Sequence, residues 1–187
     1  IRCSAQDWAN LGRYKNDNLI LGLPADSENR VVFLGNSITE AWPTYDSTFF
    51  AGKTYINRGI SGQTSPQMLL RFRSDVVKLK PKVVIISAGT NDIAGNTGPS
   101  SLEMILDNIM SMSELAKSNH IVVIIASVLP VYDYPWKPGL KPAETIASLN
   151  KMLKNFCLAN KLIYLDYYDA MVDDRKGLKA DFTYDGV

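Results

Sequence analysis

A chain of 187 residues, 46% hydrophobic and 21% charged with a formal net charge of +1, is long enough to bury a core and has the composition of a globular domain. The balanced charge includes no Lys/Arg block, which argues against nucleic acid or an anionic membrane surface as a partner. No apolar run approaches the ~20 residues of a membrane span, and Cys3 and Cys157 make neither a disulfide framework nor a metal motif.

The first residue is Ile1, and Cys3-Ser4-Ala5 before Gln6 has the small-residue pattern of a signal-peptide cleavage site, which points to export to the periplasm or beyond. Asp7–Asn18 is expected to form a leading helix. Arg30–Leu34, Tyr55–Arg58, Lys82–Ser87, Ile121–Ala126 and Leu162–Asp166 read as strands, rich in β-branched and aromatic residues. The third and fourth are apolar throughout rather than alternating, as expected of strands buried on both faces of a parallel sheet. Between the strands, Ser65 before Pro66 is a capping residue followed by a good first-turn residue. Ser100-Ser101-Leu102-Glu103 fits a capping box opening a helix to about Ser118. Pro142 opens another to about Asn160, with Ile146, Leu149, Leu153 and Phe156 along one face, and Cys157 reads as a core residue. Strand alternating with helix predicts a doubly wound α/β domain with right-handed crossovers over residues 1–187. Two long loops stand out: Ile93–Pro99, and Leu129–Lys141 with Tyr132, Tyr134 and Trp136.

Ligands bind at the carboxyl ends of the strands in such sheets. Gly35-Asn36-Ser37-Ile38-Thr39 follows strand one, Gly59-Ile60-Ser61-Gly62-Gln63-Thr64 follows strand two, and Gly89-Thr90-Asn91-Asp92 follows strand three. All three are therefore predicted on one rim. Ser37 beside Gly35 can present its hydroxyl there, while Asn36 and Thr39 suit helix capping. Gly62 permits close backbone approach to a ligand, and the Asn91 side chain can donate to a developing oxyanion. Asp92 reads as a structural hydrogen-bonding residue, and Arg58 and Arg71 as solvated or paired. No phosphate-binding Gly-x-x-x-x-Gly-Lys-Ser/Thr occurs.

These three segments resemble blocks I, II and III of the SGNH (GDSL-type) hydrolase superfamily, and Asp185-Gly186-Val187 is similar to the start of its terminal Asp-x-x-His block. The resemblance implies a flavodoxin-like three-layer α/β/α domain with a five-stranded parallel sheet and no cofactor. It implies hydrolysis of esters, often acetyl or other acyl groups on sugars or lipids, so that the partner is a small ester substrate, possibly an acylated carbohydrate. By the same resemblance Ser37 is the nucleophile. The backbone amides of Ser37 and Gly62 line the oxyanion hole with the Asn91 side chain, and Asp185 orients the catalytic histidine. Asn36 stands where the family usually has an acidic residue, which is expected to alter local hydrogen bonding without loss of activity.

The histidine itself is expected immediately after Val187. His120, the only histidine present, precedes strand four and so is predicted on the rim opposite Ser37. The chain as given is thus expected to lack its base, and a protein ending there to be close to inactive. Trp136 in its loop and Trp42, five residues after Ser37, are candidate substrate-binding aromatics. Two rivals follow from the same residues: a non-catalytic sugar- or acyl-binding descendant of this fold, and a flavodoxin-like cofactor binder.

Overall fold

The computed structural model describes residues 7–187, so the cleavage-site pattern around Cys3 lies outside the described residues. The β-branched runs form five strands, Val31–Gly35 (β1), Tyr55–Gly59 (β2), Val83–Ile86 (β3), Val122–Ala126 (β4) and Ile163–Leu165 (β5). All pair in parallel, in the order β2-β1-β3-β4-β5. The chain leaves β1 in one direction to reach β2 and returns past β1 to reach β3. The strand order therefore reverses between β1 and β3, and a crevice opens at their carboxyl ends. The five-stranded parallel sheet and the three layers expected from the sequence are both present.

Among the described residues eight α-helices accompany the strands: Lys15–Leu21 (α1), Ser37–Tyr45 (α2), Ser47–Phe50 (α3), Ser65–Asp75 (α4), Thr90–Ile93 (α5), Leu102–Ser118 (α6), Ala143–Asn160 (α7) and Tyr167–Met171 (α8). One sheet face carries Val32, Leu34, Val84, Ile86, Val123 and Ile125, all fully buried or nearly so. They pack with Met68 and Phe72 of α4, Ile105, Ile109 and Met112 of α6, and Ile146, Leu149, Leu153 and Cys157 of α7. At roughly 1.5–3 kcal/mol for each large apolar side chain buried, this layer is the main source of stability. On the opposite face Phe33 sits under an aromatic cluster from α2 and α3, edge-on to Trp42, Phe49 and Phe50 at 5.4–5.7 Å between ring centroids. Farther along that face Val122 and Ile163 are about half-exposed, at 51% and 52%.

Three boundaries differ from the sequence expectation. Asp7–Asn18 is not one helix: the Asp7 carboxylate accepts the amides of Leu11 and Gly12, each at 2.8 Å, and Asn10 is left-handed at φ 56°. These local bonds close turns in place of a helix, which starts only at Lys15. Thr64, not Ser65, caps α4, its amide donating to Gln67 Oε1 at 3.0 Å. The cap of α6 is Ser101, whose hydroxyl accepts the Met104 amide at 3.2 Å. Glu103 therefore falls one position short of the capping-box role.

Candidate active site

Ser37 is the first residue of α2, at the end of β1 and the sheet's switch point. Asn36 caps this helix, its Oδ1 accepting the Ile38 amide at 3.0 Å, the capping role read from the sequence. The next strand end is brought against α2. A Cβ on Gly59 would stand 2.1 Å from the Glu40 amide nitrogen, a separation no side chain tolerates. Glu40 then reaches over the loop after β2, accepting the Ser61 amide at 2.7 Å, and pairs with Arg13 at 3.2 Å. Gly62 lies in that loop at φ 75°, a conformation suited to glycine.

Asn91 lies in α5, after β3, and is buried. Its Nδ2 donates to the backbone oxygen of Gln63 at 3.0 Å, which ties the third segment to the second and leaves one N–H of the amide for a ligand. Neither the Ser37 nor the Gly62 amide finds an acceptor among the described residues. The buried Asp92 accepts from Ser65 three times, from its amide at 2.9 and 3.0 Å and from its hydroxyl at 2.5 Å, while Asn108 donates to the same hydroxyl at 3.1 Å. Burial pushes the Asp92 carboxyl above its ordinary pKa, and the Ser65 hydrogen bonds pull the other way. Its expected structural role matches this geometry.

A cleft of about 510 Å³ runs along this rim, and its walls include Ser37, Asn91, Trp136 and Asp185. Four residues far apart in the chain therefore line one cleft. Asp185 sits in a closing turn, its Oδ1 accepting from the Thr183 hydroxyl at 3.1 Å and the Val187 amide at 3.2 Å. Trp136 is half-exposed and its ring lies 4.8 Å from that of Tyr134. Tyr134, in the same loop, is fully buried. Its hydroxyl meets Thr90 Oγ1 at 2.9 Å and donates to the Thr90 carbonyl at 3.0 Å. Burial pushes its phenol up to about 12. The Pro-rich loop is thus clamped onto α5, and Lys137 Nζ adds a bond to the Ala94 carbonyl at 2.6 Å.

Trp42, a sequence candidate, and His120, already predicted on the opposite rim, do not line the cleft. Trp42 stacks on Phe49 at 4.5 Å and lines a neighbouring apolar cavity of about 350 Å³, not the wall beside Ser37. His120 is exposed in the turn before β4, at the amino-end rim, as expected. Across a strand of five residues that is ~17 Å from the carboxyl-end rim.

The arginines were expected to be solvated or paired; Arg71 is paired, but the burial of both was not foreseen. Arg71 is not solvated but completely buried, and Arg58 is 5% exposed. Arg58 donates to Asn18 Oδ1 at 2.7 and 3.0 Å. Arg71 pairs with Asp75 at 3.2 Å, one helical turn on. The i,i+4 spacing was visible in the sequence, but such pairs usually face solvent, so it carried no sign that this one points inward.

Known proteins share both the sequence pattern and the fold. The pattern of the GDSL-like lipase/acylhydrolase family matches residues 33–187. A protein of Bacteroides fragilis provisionally called an acylhydrolase superposes with a TM-score of 0.95 at 50% identity, covering 97% of this chain and 88% of its own. A GDSL-like lipase from Bacteroides thetaiotaomicron superposes with a TM-score of 0.93 at 49% identity, covering 96% and 88%. An uncharacterized lipoprotein of Bacillus subtilis is 33% identical over 81 residues, which span 42% of this chain and only a third, 33%, of that protein. With the pattern running from the middle of β1 to Val187, and the switch-point cleft inside it, the chain belongs to the GDSL-like lipase/acylhydrolase family.

Proposed function

We propose that this chain is a serine esterase that cleaves small acyl esters, with acetyl esters of carbohydrates as the preferred class. The observation that supports it best is the single cleft whose walls carry Ser37, Asn91, Asp185 and Trp136. In this reading Ser37 Oγ attacks the acyl carbon while a base takes its proton. The carbonyl π electrons move onto oxygen, which accepts from the Ser37 and Gly62 amides and from Asn91 Nδ2. Collapse of that intermediate expels the alcohol with the proton held by the base and leaves an acyl-serine. Water repeats the sequence and frees the carboxylic acid.

In this reading the base is a histidine oriented by Asp185. A base is needed because a neutral serine is a weak nucleophile, and His120, before β4 at the opposite rim, lies too far away to serve. The half-exposed Trp136 ring, backed by the buried Tyr134, offers a flat apolar wall on which a sugar ring can stack. Export is part of the same reading, supported by the small residues around Cys3 and by the lipoprotein relative.

Hydrolysis of p-nitrophenyl acetate and of a per-acetylated sugar by the full-length protein, beside its Ser37→Ala variant, tests the assignment. Loss of a triad serine is worth on the order of 10⁶ in turnover, so the variant is expected to fall to background on both esters. Equal rates for the two proteins on both substrates would remove Ser37 from the chemistry.

A further inference from the structure

Arg71 lies in the middle of α4, and none of its side chain reaches solvent. Its guanidinium spends its donors on three different segments. Nε donates to Gln63 Oε1 at 2.5 Å, Nη2 to the Gly35 carbonyl at 3.1 Å, and Nη1 to Asp75 Oδ2 at 3.2 Å. Gly35 ends β1, two residues before Ser37. Gln63 follows Gly62, and its own carbonyl is the acceptor for Asn91 Nδ2. The Gly35 carbonyl also accepts the Ile60 amide at 3.0 Å, and Gln63 Nε2 donates to Ala9 O at 2.7 Å. One planar cation therefore stands between the backbone leading to Ser37 and the loop carrying Gly62, and through Gln63 it reaches Asn91.

We infer that Arg71 is a positioning residue that sets the spacing of the oxyanion donors. This rests on the proposed ester-cleaving role of Ser37, Gly62 and Asn91. A charge with no access to water is unfavourable unless it is paired and hydrogen-bonded. A salt bridge to Asp75 alone would meet the electrostatic need on α4. The donors to Gly35 and Gln63 do something further, because a rigid guanidinium fork fixes distances that one flexible ammonium cannot. Oxyanion donors act only where the negative oxygen develops, so a small displacement weakens the transition state more than it weakens substrate binding.

The test uses the full-length protein and two variants, Arg71→Lys and Gln63→Leu. Arg71→Lys keeps the charge beside Asp75 and loses the fork. Gln63→Leu leaves Arg71 with Asp75 and Gly35, cuts its tie to the loop and also removes the Gln63 Nε2 bond to the Ala9 carbonyl. Steady-state kinetics on p-nitrophenyl acetate are expected to show kcat down about 10–100-fold for each variant, with KM changed less than about threefold, a fraction of the loss seen when a whole oxyanion donor is removed. Circular dichroism and thermal melts report folding. If Arg71→Lys does not fold, the folded Gln63→Leu variant decides alone. A folded variant with wild-type kcat, or one in which only KM rises, overturns the inference while leaving the esterase reading standing. A wild-type protein with no Ser37-dependent hydrolysis overturns both.

Discussion

At the amino-end rim of the sheet, each of three segments hands over to the next strand through a single left-handed residue. Lys80 (φ 48°) precedes β3, His120 (φ 59°) precedes β4 and Lys161 (φ 54°) precedes β5. The helix ends there are closed by the backbone itself. Around His120 its amide donates to the Lys117 carbonyl and the Ile121 amide to the Ala116 carbonyl, each at 3.0 Å, which satisfies the last carbonyls of α6. At the carboxyl-end rim the strand-to-helix turns hold Asn36, Gln63, Thr64, Ser65, Asn91 and Asp92, all buried, and their bonds run between segments 27 and 28 residues apart. The three turns are local, independent closures, although the buried Arg30 just before β1 bridges to the Leu79 carbonyl at 3.3 Å. The carboxyl-end rim is a shared polar network in which Ser65, Asp92, Asn91 and Gln63 tie separate segments together. Substitutions at the first should act singly and weakly, and at the second jointly and strongly.

The largest effect expected inside the network is that of Asn91→Ala. It removes a candidate oxyanion donor and the bond to the Gln63 carbonyl together. Removing one such donor costs on the order of 10²–10³ in kcat, read from steady-state kinetics of the full-length protein. An unchanged kcat would reduce Asn91 to a tie between loops, and the contrast between the rims would then be one of stability alone.

Asp92→Asn probes the same network through folding. An amide in place of the carboxylate turns one acceptor oxygen into a donor and opposes the Ser65 hydrogen bonds, with an expected cost of about 1–3 kcal/mol in a denaturant melt near neutral pH. The wild type should also show a pH signature. Burial holds the folded-state pKa of Asp92 above its ordinary value of 3.8. Between those two values the folded protein binds more protons than the unfolded one, so this group's contribution to stability falls as pH rises through the window. Asp92→Asn should flatten that slope. A slope that survives the substitution would assign it to another group.

The order of strands and helices was legible because each carries a periodic signal: Val83–Ile86 and Val122–Ala126 read as buried parallel strands and are so. The Ser37 and Asn91 segments were legible from their glycines and their place after strands. What stayed hidden is orientation. Nothing in the spacing of Arg71 and Asp75 says that the pair turns inward. Tyr134 and Trp136 are two residues apart in one aromatic loop, yet one is buried against Thr90 and the other lines the cleft. Trp42 is close to Ser37 in sequence, but α2 turns it down onto the sheet against Phe33. The false start at Asp7–Asn18 is of the same kind, since an Asp carboxylate that captures nearby amides leaves no mark on composition.

The smallest effect belongs to the amino-end rim. His120→Gly places a residue with no Cβ in a left-handed turn that costs an ordinary residue roughly 1–2 kcal/mol, while glycine's added unfolded-state entropy returns roughly 0.5–1 kcal/mol of that gain. The net is an expected stabilisation of about 0.5 kcal/mol, or a rise of ~1–2 °C in melting temperature for a domain of this size. Because the turn is closed by its own backbone bonds, nothing passes from it to the cleft. Ester hydrolysis by the full-length variant should therefore equal that of the wild type. A tenfold loss of kcat would mean that the two rims communicate through β4, and that the opposite end of the sheet takes part in holding the site.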